Sequence, residues 1–410
     1  MNISQEFAPP YKLVIPYFVI GVIFYVVSML YTFSFDMNNL HYEDPVILAW
    51  VHLYLLGFVM IIIFGAMAQL LPVVLEVGHF SVELFYIIWP LLSIGALLMA
   101  GGFLFSPTLL PYGGTVVLIS MMIFIFEIFM TLKRVEKFNL AITTVLLANV
   151  SLFMGVIVGI IMALGYAGQV DVNITSLLMT HIYLVVGGYI IMSIMGLSMI
   201  LLPMFGLSHG FDETPVRISV YLMSASVVLV LFASLFSLSF LAYIAYALSA
   251  IAMVSYLKQI QIIYQNRARK IQDIYSYSMM LSYGSLFLAV LFALVNFFTQ
   301  THSFLFLSAW LSFIGFFGFL ISGHLYKIVP FLVWFEVFSP LVGKEKVPML
   351  VDMVPDKATK FQFYFSVIGL VLSSLGIVFS NDALFKAGVS FLFMGAIFFM
   401  NSVIYILKYK

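Results

Sequence analysis

Cysteine is absent from this chain of 410 residues. That absence excludes disulfides, iron–sulfur clusters and thiolate metal sites together, and leaves His, Met, carboxylate and carbonyl groups as the available metal ligands. Charge is scarce as well: Asp, Glu, Lys and Arg make up 8% of the residues, and the formal net charge is zero. Also missing are the ten-residue alternating segments that build an outer-membrane barrel. The opening MNISQEFAPPY has neither the basic region nor the small-residue cleavage site of a signal peptide, and reads as a cytoplasmic tail. What is abundant is apolar surface, 64% of the residues. Apolar runs of eighteen or more recur along the chain, long enough to cross a bilayer with every backbone group bonded inside a helix. The sequence therefore predicts an all-α integral membrane protein and excludes a water-soluble one.

Twelve spans are expected, at about 11–33, 45–73, 82–104, 113–132, 139–166, 175–203, 216–235, 238–262, 274–298, 305–333, 361–380 and 385–407. Fifteen of the seventeen Lys and Arg residues fall at the termini or at even-to-odd connections, leaving Lys386 opposite and Lys327 within a span. By the positive-inside rule both termini are cytoplasmic, in the manner of a multi-pass protein of a bacterial inner membrane. This sidedness is a topology signal, and nothing here points to nucleic acid. One long connection, 334–360, is cytoplasmic and mixed in charge, and reads as an interfacial loop or as a docking surface.

Three stretches repeat: HLYLLGFVMIIIFGAMAQLLP (52–72), YLVVGGYIIMSIMGLSMILLP (183–203) and WLSFIGFFGFLISGHLYKIVP (310–330). Counting back from Pro72, Pro203 and Pro330, a glycine stands fifteen residues before (Gly57, Gly188, Gly315), an aromatic fourteen before (Phe58, Tyr189, Phe316) and a second glycine seven before (Gly65, Gly196, Gly323). Twelve spans then divide into three pseudo-repeated four-helix units, about 11–133, 139–264 and 274–408, within one transmembrane domain. The repeated stretches fall on helices two, six and ten. The six glycines are expected to form a central three-helix contact, and the prolines to bend each helix at its inner end.

Three histidines lie inside spans, where an ionisable group marks a functional site by default. They are His52, His181 and His324, and each is followed two residues later by a tyrosine. Two residues apart on a helix point to nearly opposite sides, so each tyrosine is expected to pack elsewhere. His52 stands twenty residues before its proline and His181 twenty-two, whereas His324 stands six before. At about 1.5 Å per residue the first two share a level, and His324 lies roughly 21 Å away. His52 and His181 are thus candidate ligands of one iron from opposite faces of a porphyrin. The structural alternative is a hydrogen bond from each imidazole to a carbonyl across a helix contact.

The run His52, Gly57, Phe58, Gly65, Pro72 resembles the second helix of subunit I of the heme–copper oxidases and of the NnrS family of heme-containing membrane proteins. Helix six, with His181-Ile-Tyr-Leu-Val, is similar to the histidine helix of the nitric oxide reductase branch. The resemblance implies twelve helices around a b-type heme, with His52 as an axial ligand. It also carries departures. Helix seven lacks the histidine pair that binds copper in the oxidases, and Ser308 and Trp310 stand where two histidines near the start of helix ten serve the hemes. Val185 and Val186 occupy the stretch where the reductase branch has a glutamate. The expectation is a heme b protein without a copper site, acting in electron transfer, gas sensing or nitrosative-stress handling, not a terminal oxidase. Its partners are membrane lipid and, by the same resemblance, further subunits or a redox protein.

Other polar residues suggest a second class of function. His79, His209 and Glu336 follow the three prolines by six or seven residues, and form a candidate two-histidine, one-carboxylate metal site. His324 is a further candidate ligand. Helix ends also expose histidines to water without consequence. Lys327, with Gln69 at the equivalent place in the first repeat, needs a partner, and Glu127 on helix four is expected to supply one. The pair would brace two helices or belong to an ion path, the basis for the alternative reading as a cofactor-free ion or metal transporter. Met192, Met195 and Met199 stripe one face of helix six, which core packing explains more simply than copper passage.

Overall fold

The computed structural model describes residues 7, 9–136 and 139–410. Lys137 and most of the N-terminal tail lie outside the described residues. Among the described residues, twelve helices are long and apolar enough to cross a membrane: α1 Tyr11–Ser34, α2 Pro45–Leu75, α3 Glu83–Leu104, α4 Pro107–Leu132, α5 Leu140–Tyr166, α6 Ile174–Gly206, α7 Thr214–Leu235, α8 Ser239–Gln265, α9 Ile274–Thr299, α10 His302–Val337, α11 Asp356–Val378 and α12 Asp382–Leu407. Their number and positions match the expectation from apolar run length.

Several helices start where a short polar side chain caps the first turn. Asp44 accepts the N–H of Val46 at 2.8 Å ahead of Pro45 in α2. Asn139, Asn173, Asp273 and Asn381 accept in the same way at α5, α6, α9 and α12.

The chain forms two compact units. One is Ala66–Lys270, containing α3 to α8 and the last part of α2. There α3 and α4 pack closely where Gly95 and Gly102 face Val117 and Leu110. Helices α7 and α8 are joined by Ser219, which donates to the carbonyl of Ala252 at 2.6 Å. Met192 and Met195 are fully buried, with the hydroxyl of Ser219 3.6 Å from the sulfur of Met195. The methionine face is thus core packed against α7. The other unit is Pro10–Gly65 with Ile271–Lys410. Its last hairpin, α11 and α12, closes through Gly369, Gly376 and Gly388, where a methyl group would strike backbone.

The six repeated glycines share one kind of neighbour. Each receives the helix that precedes its own. A methyl group at Gly57 or Gly65 would meet Phe24 or Tyr17 of α1, one at Gly188 or Gly196 would meet Ser151 or Thr144 of α5, and one at Gly315 or Gly323 would meet Ser285 or Met279 of α9. Small residues serve any tight helix pair.

The sequence hides a second shared feature. Helices α2, α6 and α10 each contain a π-helical segment, Leu55–Met60, Tyr183–Ile191 and Leu311–Gly318. Each holds the first conserved-spacing glycine and the aromatic after it. A π-turn widens the helix and misaligns backbone groups, and side chains take up the carbonyls in α10. Tyr54 donates to Phe313 O at 2.6 Å and Ser282 to Phe316 O at 2.9 Å.

The prolines do not stop these helices. Pro72 and Pro203 lie inside α2 and α6, and Pro330 lies inside α10. Four residues beyond the first two come Glu76 and Leu207, both left-handed, at φ 54° and 51°. Val77 and Ser208 then return their N–H groups to the proline carbonyls at 3.2 and 3.0 Å, which satisfies the helix ends in the Schellman manner. In α10 the helix runs on to Val337, so the long connection is shorter than 334–360. Trp334 reaches it by donating to the carbonyl of Pro348 at 2.9 Å, and Met353 is fully buried.

Candidate functional site

His52 lies in α2, three residues before the π-segment, and its Nδ1 is 2.7 Å from Leu48 O. A carbonyl can only accept, so Nδ1 carries the proton and Nε2 carries the lone pair. His181 lies in α6, two residues before its π-segment. Its Nδ1 donates at 3.0 Å to Gly155 O of α5, and its ring rests on Gly159, where a methyl group would meet Cε1. His324 lies beyond the π-segment of α10, and donates from Nδ1 to Leu320 O at 2.8 Å. All three imidazoles therefore hold the Nε2-acceptor tautomer through a backbone bond, the arrangement that orients histidine ligands in metal sites. The hydrogen bond across a helix contact, expected as the structural alternative, is made by His181. His52 and His324 bond within their own helices.

The tyrosines after these histidines bond elsewhere. Besides Tyr54, Tyr183 pairs with Ser249 at 3.1 Å and Tyr326 with Gln362 at 3.3 Å.

The unit that contains His52 also holds an aromatic cluster. Trp50 stacks on Trp310 with centroids 5.8 Å apart, and Phe35 stacks on Phe385 at 6.0 Å. The indole N–H of Trp310 donates to Ser373 at 2.8 Å, and Ser308 donates to Ala289 O at 2.8 Å. The two positions where the oxidase resemblance has heme histidines are thus occupied by side chains bonded to α11 and α9. The donor chemistry at His52 and at His181 fits an axial heme ligand, while Ser308 and Trp310 offer none.

The remaining polar residues sort differently from the expectation. Lys327 pairs with Asp273, Nζ to Oδ2 at 2.6 Å, and not with Glu127. Asp273 sits one residue ahead of α9 and caps it, so one carboxylate serves a helix end and the lysine together. Glu127 pairs instead with His79, Nδ1 to Oε1 at 3.0 Å. No three His, Asp or Glu residues among the described residues form a group able to hold a metal. Of the candidate ligands His79, His209 and Glu336, His79 is engaged by the carboxylate of Glu127 on α4. Gln69 is buried, and its carbonyl oxygen is without a hydrogen-bond partner among the described residues. Sequence reasoning missed Asp273 and the His79–Glu127 pair; the Asp-x-x-Ser cap at 273–276 was the one visible sign of the former. Compared with known proteins, the chain matches no family model and no curated relative.

Proposed function

We propose that this chain is a b-type heme protein of a bacterial inner membrane, related to heme–copper oxidase subunit I and NnrS, with both termini in the cytoplasm. His52 would hold the heme, and His181 is a second candidate ligand. The observation that carries this reading is the backbone bond at each Nδ1, 2.7 Å at His52 and 3.0 Å at His181, which directs the lone pair to Nε2. Both residues precede a π-segment, a distortion frequent at functional sites. When bound, heme would supply reversible one-electron chemistry. The protein's part is to hold the two imidazoles in one tautomer. Electron transfer, gas sensing or nitrosative-stress handling follow from such a center, with a redox partner or further subunits. Terminal oxidase activity does not, since no copper histidines are present. The three matched π-segments support descent of the chain from three copies of a four-helix unit. The test is His52→Ala. Loss of most Soret absorbance, with His209→Ala unaffected, is the expected result; full absorbance in His52→Ala overturns the assignment.

A further inference from the structure

The unit Ala66–Lys270 carries an apolar groove along its α3–α4 pair. Leu84 of α3 and Leu118, Ile119, Met122, Ile123 and Phe126 of α4 line it, around about 380 Å³ of space. Ile119 and Phe126 are 46% and 49% exposed, so the groove opens sideways, toward the hydrocarbon that surrounds a spanning helix. Leu118 and Phe126 are eight residues apart, about 12 Å along the helix. That length fits within the roughly 15 Å of apolar depth in one leaflet.

The end of the groove nearer Leu132 leads to a fixed cation. Phe126 meets Phe80 edge to face, with centroids 5.6 Å apart, and the guanidinium of Arg134 lies 5.5 Å from the centroid of Phe80. Phe80 is held in place, because its N–H donates to Thr131 Oγ1 at 2.9 Å and to Glu127 Oε1 at 3.1 Å. Arg134 is held as well: its Nη1 donates to the carbonyls of Gly78 and His79 at 3.2 and 3.0 Å. A guanidinium has five donors in a rigid fork. Two carbonyls orient this one at an exposed position, and the fork suits a phosphate. Lys133 is exposed beside it. Of the acidic neighbours, Glu83 accepts the hydroxyl of Ser81 at 2.8 Å, and Glu136 stands two residues further along the connection.

We propose that this surface binds one anionic phospholipid from the leaflet at this end of α4. The phosphate pairs with Arg134, the glycerol region lies against Phe80, and one acyl chain runs along the groove from Phe126 to Leu118. Basic groups beside spanning helices recognise anionic headgroups in this way. An apolar protein helix would fill the groove but leave the oriented guanidinium without an anion, so the cation decides for lipid. The site uses no residue of the heme reading and does not depend on which side of the membrane this leaflet faces.

The experiment reconstitutes the full chain in phosphatidylcholine vesicles with a trace of phosphatidylglycerol that carries a diazirine in one acyl chain. Labelled peptides are mapped by mass spectrometry after illumination, and a phosphatidylcholine probe with the same chains is the comparison. The expected result is severalfold more label on 118–126 from the phosphatidylglycerol probe. R134Q is expected to bring the two probes level, and R217Q, at another exposed arginine of the same unit, to leave the preference intact. Equal labelling by the two probes in the wild type, an unchanged preference in R134Q, or the same loss in R217Q overturns the proposal. So does absence of label from the groove with both probes, which would assign it to a protein contact such as a second copy of this chain. The wild-type comparison needs no variant, so it is decisive even where R134Q fails to fold.

Discussion

Lys327 Nζ and Asp273 Oδ2 are 2.6 Å apart, and the same carboxylate caps α9 through the N–H of Ser276 at 3.0 Å. Burial pushes the Asp273 carboxyl up, but Lys327 and the Ser276 donors outweigh it and hold the group below the usual carboxylate range. A carboxyl depressed in the folded state contributes stability above its unfolded value, about 3.9, and loses it as pH falls through the folded value. The wild-type melting temperature in detergent is therefore expected to fall as pH drops below about 4. D273N keeps the cap oxygen and loses the charge, so it melts lower at neutral pH, by roughly 1–2 kcal/mol for a half-buried pair, and is flatter in the acid window. Equal pH profiles for the two proteins would remove the pair from the account.

The close approach of α9 to α10 gives a paired test. A methyl group at Gly315 would strike Ser285, whereas nothing lies within 4 Å of one at Gly284. G315A is expected to lose about 1–3 kcal/mol through overpacking. G284A is expected to be neutral or to gain up to about 1 kcal/mol from helix propensity. Thermal unfolding of both variants in one detergent checks the sign at each site.

The π-segment of α10 depends on outside donors for its carbonyls. Removing the Tyr54 hydroxyl in Y54F leaves Phe313 O without that donor, at an expected cost of about 1–3 kcal/mol. Amide hydrogen exchange should rise around 311–318 and stay unchanged in α6, whose π-segment lies in the other unit. Uniform exchange in Y54F and wild type would mean that the π-turn is held by packing alone.

The twelve spans were legible because run length and apolarity alone decide what can cross a bilayer. The repeated glycines were legible as close approaches, but not their partners, since the same small residue serves any neighbouring helix. Lys327 was assigned to Glu127 by depth along its helix. Depth does not identify neighbours, and the true partner, Asp273, stands just outside a span, where a carboxylate draws no attention. His79 looked like a helix-end histidine beside His209 and Glu336, while its partner lies forty-eight residues on. The π-segments left no trace in composition, because Leu55–Met60 has the same residue types as an ordinary helical turn.

The most direct test of the central claim is a reduced-minus-oxidised optical spectrum of the purified wild-type chain, with pyridine hemochrome quantification. Sharp α and β bands with about one heme per chain, lost in His52→Ala, are the predicted result. A flat spectrum from well-folded protein expressed with ample heme would contradict it.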